Sequence, residues 1–197
     1  MMSMLLLLPL WLHFSAAPSP TLALDNVNKI IEGVPTDLAE SKLLVARYDV
    51  YDMDDKPEGM PPQVLPRYNK LAKQSNSSIK KTIDAAYAHD YQMVGLPSVP
   101  EMKAEGYKYF MDMVLMPKQM SYPEKRAMVP AYEKYESTGK MFGNRYVQFH
   151  FYFYIRNLET NDVYITTRFK GNYDVYAAMK VHLKQVMKDL KAGNTGS

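Results

Sequence analysis

The chain has 197 residues, 47% hydrophobic and 23% charged, the proportions of an ordinary globular protein and not of a collagen-like, low-complexity or disordered one. Its 24 Lys and Arg face 21 Asp and Glu, a formal charge of +3, too small and too interspersed for the electrostatic footprint of a nucleic-acid binder. A chain of this length is expected to build one core.

From Met1 to Leu24 no side chain is charged, and Met4 to Phe14 is almost wholly apolar. That run is shorter than the roughly 20 residues that span a bilayer, so it reads as a secretory signal peptide and not as an anchor. Thr21 and Ala23 supply the small residues of a cleavage site. The expected organisation is a signal over 1–23 and one α/β domain over 24–197, exported to a periplasm or secreted, with no membrane span in the mature chain. The sequence contains no Cys, which removes disulfides, lipid attachment, a Cys-coordinated zinc and a thiol nucleophile. The sequon Asn76-Ser77-Ser78 is a triplet that also arises by chance.

In chain order, Asp25 is placed to cap a short helix carrying Val27, Ile30 and Ile31 and ending at Gly33. Leu43 to Tyr51 reads as the first strand, followed by an acidic, proline-rich loop over 52–62. Val64, Tyr68, Leu71, Ser75, Ile79, Ile83 and Ala86 recur near the helical period, so Gln63 to His89 is expected as a long helix, bent near Ser75 to Ser78. Tyr91 to Val94 is a short strand, and Ser98-Val99-Pro100-Glu101 is a capping box opening a helix that stops at Gly106. Tyr107 to Met116 is the next strand. Residues 117–143 form an excursion, cut by Pro130. Arg145 to Arg156 alternates at period two, and the turn Leu158 to Asp162 leads into a strand Val163 to Phe169. Asn172 caps a last helix with its seam at Tyr176, Met179, Leu183, Val186 and Leu190. The fold class is therefore α/β (α+β): one mixed sheet packed by helices, with a C-terminal β-hairpin followed by an amphipathic helix.

This order, with the strand EGYKYFMDMVL and the hairpin turn RNLETNDVYIT, resembles the periplasmic domain of the curli-export lipoprotein. It is similar also to the lipoprotein activators of peptidoglycan synthases and to the amino-terminal domain of the Tol-system propeller protein, over roughly residues 40 to 190. The resemblance implies an envelope protein. The chain departs from these families in lacking a lipidated Cys and a propeller, and no functional residue carries over.

Three constellations invite chemistry. Asp52-Met53-Asp54-Asp55 follows a strand, where α/β folds place ligands and where a DxD pair can hold Mg²⁺ for a metal-dependent hydrolase. Lys56 and Pro57 spoil a calcium loop, and a solvated acidic turn is the plainer reading. Met102, Met111, Met113, Met116, Met120, Met128 and Met141 could make a Cu(I) carrier, but Met111 and Met113 share a strand face with Tyr109 and Leu115 as core filler would. His89, His150 and His182 lie in different elements without a partner at ligand spacing. Lys180, Lys184, Lys188 and Lys191 form a basic stripe, read as solvated.

The sharpest expectation concerns the hairpin. If Phe149, Phe151 and Phe153 are core, then Tyr146, Gln148, His150, Tyr152 and Tyr154 face the other way. Tyr164, Thr166 and Arg168 are expected to join that second face. Tyr146, His150, Tyr152, Tyr154, Tyr164 and Arg168 then make a partner-binding surface of phenols and a guanidinium, unless helices or the excursion cover it. The function expected is a cofactor-free, non-enzymatic binding or assembly protein contacting a protein, peptide or glycan partner.

Overall fold

The computed structural model describes residues 27–117 and 149–196. In chain order the elements are β1 (Ile30–Glu32), β2 (Val34–Pro35), β3 (Leu43–Arg47), α1 (Leu65–Asp84), β4 (Tyr91–Gly95), α2 (Val99–Ala104), β5 (Tyr109–Pro117), β6 (Phe149–Asn157), β7 (Val163–Ile165), α3 (Val175–Ala192) and β8 (Thr195–Gly196). Six strands form one mixed sheet in the order β1-β7-β6-β5-β3-β4, while β2 and β8 make a separate parallel pair. This is the α/β fold expected from the sequence.

β3 is parallel to both β4 and β5, and its run Leu43-Leu44-Val45 is buried on both faces, as a central parallel strand requires. The connection from β3 to β4 runs one way along the sheet, and that from β4 to β5 runs back past β3. Two right-handed crossovers in opposite directions must place their helices on opposite faces. Accordingly Ile79 and Ile83 of α1 pack with Leu43, Val45 and Met111 on one face, whereas Val99 of α2 packs with Leu44, Val94 and Phe110 on the other. Met179, Leu183 and Val186 of α3 join α1 over Phe153 and Ile155.

α1 runs unbroken through Ser75 to Ser78, where a bend was expected. The hydroxyls of Ser78 and Thr82 donate to the carbonyls one turn back, Gln74 O at 3.1 Å and Ser78 O at 2.8 Å, and so stay inside the helix. α3 is capped by Asp174, whose carboxylate accepts from Ala177 N at 2.7 Å, and not by Asn172, which pairs with a strand instead.

Two other expectations are corrected. The segment carrying Ile30 and Ile31 is an edge strand parallel to β7, not a helix. Ile30 packs on one side of the sheet and Ile31 on the other, an alternation too short to be told from a helical pattern by sequence. The hairpin strand β7 ends at Ile165 rather than Phe169.

Gly33, between β1 and β2, sits at φ +114, and a Cβ there would stand 2.6 Å from the backbone oxygen of Asn194. Gly193 sits at φ +67 beyond α3 with open space around it, its N–H donating to Leu190 O while Asn194 N reaches Asp189 O, the paired bonds of a Schellman end. Gly193→Ala is expected to cost about 1 kcal/mol from backbone strain alone. Gly33→Ala adds a collision with immovable backbone and is expected to cost about 3 kcal/mol, read from urea unfolding midpoints.

Candidate functional site

The expected partner face does not assemble as foreseen. The hairpin closes with Asn157 N donating to Asp162 O, and Asn157 Oδ1 accepts from Glu159 N and Thr160 N while Asn161 takes φ +57. An even number of loop residues inside that closing pair sets odd residues of β6 against even residues of β7: Ile155 opposes Tyr164 and Arg156 opposes Val163. Tyr164 therefore belongs to the helix-covered face, edge-to-face with Tyr109 at 6.4 Å. Thr166 and Arg168 lie beyond the end of the strand. Tyr152 and Tyr154 do share the opposite face, but both are buried, so they are core there and not an exposed patch. His150 is half-buried and Arg168 exposed, while Tyr146 lies outside the described residues.

The guanidinium on that face is Arg156, two places from Tyr154 on the same strand. It is 1% exposed, with Nη2 at 3.4 Å from both Asp112 Oδ2 and the Tyr154 hydroxyl. Asp112 stands opposite Tyr154 across the β5–β6 ladder and accepts that hydroxyl at 2.9 Å. Its side chain is 24% exposed. Burial pushes the Asp112 carboxyl above the usual carboxylate range, and the Arg156 charge opposes this. Arg156 Nε has no hydrogen-bond partner among the described residues. The Asp112–Tyr154–Arg156 group is thus a buried cluster across the β5–β6 pair, in which removing Asp112 leaves the Arg156 charge without its partner.

From β7 the chain continues as a strap alongside β6. Thr167 is held by Asp189 of α3, through its N at 3.0 Å and its Oγ1 at 2.6 Å. Phe169 is buried against Tyr152, ring centroids 5.1 Å apart, and Gly171 lies so close to the Tyr152 ring that a Cβ would stand 2.5 Å from it. Asn172 then exchanges both backbone hydrogen bonds with Phe151, at 2.8 and 3.1 Å. Between these anchors Arg168, Lys170 and Tyr173 are exposed, Tyr173 at 78%. Its ring lies 6.5 Å from that of His150.

At the carboxyl ends of β3 and β4, the position where open α/β sheets keep their ligands, Tyr48 to Tyr51 is not a strand continuation. It is bound to α1 by two asparagines. Asn76 Oδ1 accepts from Tyr48 N and its Nδ2 donates to Tyr48 O, both at 2.8 Å; Asn69 does the same to Tyr51 at 3.1 and 2.7 Å. Seven residues apart, the two amides lie on one side of the helix and imitate the edge of a neighbouring strand. The Asn76 amide of the sequon is thereby committed to the backbone. The Tyr51 and Tyr68 rings stack with centroids 5.8 Å apart at 29°. Asp49 is half-buried, and a Cβ on Gly95 would collide with its carboxylate.

The acidic loop Asp52 to Asp55 is exposed throughout, and no group of three His, Asp or Glu that could hold a metal occurs among the described residues. Met111 is core, whereas Met113, expected beside it in the core, is 40% exposed; Met120, Met128 and Met141 lie outside the described residues. Lys180, Lys184, Lys188 and Lys191 form an exposed face of α3. Among the described residues no helix is long and apolar enough to cross a membrane. No family model, curated protein or solved structure matches the chain, so its assignment rests on its own residues.

Proposed function

We propose that the chain is an exported, non-enzymatic binding or assembly protein that engages an acidic protein or peptide through the strap over 166–173 and the adjoining His150 end of the hairpin. The uncharged apolar run before Leu24 supports export. One observation supports the contact surface: along the strap Arg168, Lys170 and Tyr173 are exposed, while Thr167, Phe169, Gly171 and Asn172 are each held by a named contact. Side chains displayed from a backbone already fixed lose less freedom on binding, and Arg and Tyr are residues that carry binding energy. The charge on the strap favours an acidic surface and faster encounter at low salt.

The test is capture from the native envelope extract with the mature chain, beside Arg168→Glu/Lys170→Glu/Tyr173→Ser. The variant is expected to lose an acidic protein held by the wild type, with its melting temperature unchanged, and added salt is expected to weaken the wild-type complex. Retention of the full set of captured proteins by the variant overturns this reading.

A further inference from the structure

The formal charge of +3 hides a segregation that the fold brings out. α1 carries one Arg and four Lys and α3 four Lys, nine of the chain's 24 bases, and every one of them is exposed. The acids of the two helices are Asp84 and Asp189. Asp84 already neutralises Lys80 at 2.8 Å, and Asp189 is 1% exposed and bound to Thr167. The two helices cover the same face of the sheet side by side. Lys70 and Lys81 stand on the side of α1 away from its buried Ala72, Ile79 and Ile83, as Lys184 and Lys188 stand on α3 away from Leu183 and Val186. Neither helix therefore brings an unpaired acid to the outer surface of this layer, while the rest of the chain is net acidic. Two apolar side chains are exposed on the same helices, Leu71 at 49% and Val181 at 38%, each one turn from a base, Arg67 and Lys184 respectively.

We propose that the outer surface of α1 and α3 docks the protein on a bilayer rich in anionic phospholipid. Such a bilayer presents a broad field of negative charge, and each Lys or Arg brought near it is worth about a fivefold gain in partition. Eight of the nine bases are Lys, a point charge that needs no fixed partner geometry. No aromatic side chain is exposed on either helix. A protein partner selects the reverse composition, since protein contacts are enriched in Arg and aromatic residues and depleted in Lys. Leu71 and Val181 gain by entering the boundary between headgroups and acyl chains, and gain nothing on a hydrophilic polyanion such as nucleic acid.

The experiment measures sedimentation of the full mature chain with vesicles of phosphatidylcholine alone and of three parts phosphatidylcholine to one part phosphatidylglycerol, at low and high sodium chloride. Binding to the mixed vesicles, lost at high salt and absent with phosphatidylcholine alone, is expected. Lys70→Gln/Lys81→Gln and Lys184→Gln/Lys188→Gln are each expected to weaken it about 25-fold, two bases at about fivefold each. Lys42→Gln/Lys103→Gln is expected to stay within about twofold, because Lys42 lies over the Tyr107 ring and Lys103 on α2, on the other side of the sheet. All these side chains are exposed, so the melting temperature should not change. The chain has no Cys, so a polarity-sensitive fluorophore on Leu71→Cys or on Val181→Cys reports a single place. Its emission is expected to shift to the blue on the mixed vesicles, and that of the same fluorophore on Met53→Cys is not. No binding to the mixed vesicles, equal binding to both kinds, a loss shared by Lys42→Gln/Lys103→Gln, or tighter binding to heparin or duplex DNA than to the mixed vesicles overturns the proposal. No protein partner takes part, so the outcome is separate from that of the strap.

Discussion

His182→Leu is expected to make the protein more resistant to acid than the wild type, with a difference that grows as pH falls. His182 lies on the inner side of α3, 3% exposed, its ring 6.2 Å from that of Phe153 and its Nε2 without a hydrogen-bond partner among the described residues. Burial is the main influence and pushes the imidazole from 6.5 down to about 3, Asp189 opposing only in part. The unfolded chain therefore binds a proton in the interval where the folded one does not, and unfolding becomes easier as pH falls through 6.5. Each pH unit in that interval is worth about 1.4 kcal/mol, so at pH 4.5 the wild type has lost about 3 kcal/mol through this group alone. Leu removes the titration and fills the same apolar site. Urea unfolding at a series of pH values should show the two proteins diverging below pH 6.5 and running parallel above it. Parallel profiles down to pH 4 would mean that His182 is solvated or paired in solution.

The seam of α3 was visible in the sequence because Met179, Leu183 and Val186 repeat at three and four. His182 and Asp189 were not, since a polar residue beside an apolar seam reads as its solvated margin. Asp189 is instead the anchor of Thr167 and is 1% exposed. The same blindness hid Asn69 and Asn76. Their partners are backbone groups of Tyr48 and Tyr51, and backbone hydrogen bonds carry no side-chain signature. A hint existed in the spacing of seven, which sets both amides on one side of a helix whose apolar residues Ala72 and Ile79 face the core.

The hairpin fails more instructively. Alternation along β6 identified Tyr152 and Tyr154 as one face and Phe151 and Phe153 as the other, and the ladder agrees. Which residues of β7 join each face depends on the parity of the turn, and a change of one loop residue would exchange them all. Parity put Val163 and Ile165 beside Tyr154 and sent Tyr164 to the opposite side. A guanidinium on the tyrosine face was foreseen at Arg168, but strand β7 ends too soon and Arg156 takes the place. Two residues along the same strand is the surest way to share a face.

That exchange of one arginine for another leads to the second large effect. Asp112→Leu leaves the Arg156 guanidinium buried at 1% exposure without a counter-charge, and a guanidinium cannot shed its proton. The expected loss is about 3–5 kcal/mol. Arg156→Leu is milder, because Asp112, already raised above the usual carboxylate range by burial and now freed from the Arg156 charge that opposed it, can take up a proton. The folded state then holds that proton to a higher pH than the unfolded chain, so stability falls as pH rises from the ordinary carboxylate value through the raised one, and returns on acidification. The slope is opposite in sign to that of His182, so with His182 present the two effects partly offset each other. The pair is therefore measured in the His182→Leu background, by urea unfolding at pH 4.5 and pH 7.5. Arg156→Leu should recover much of its loss at the lower pH while Asp112→Leu recovers none. Asp112→Leu/Arg156→Leu should be more stable than Asp112→Leu alone, since two apolar side chains leave no charge behind in the sheet. Equal losses in the two single variants with the same dependence on pH would show that Asp112 and Arg156 do not form a buried pair in solution.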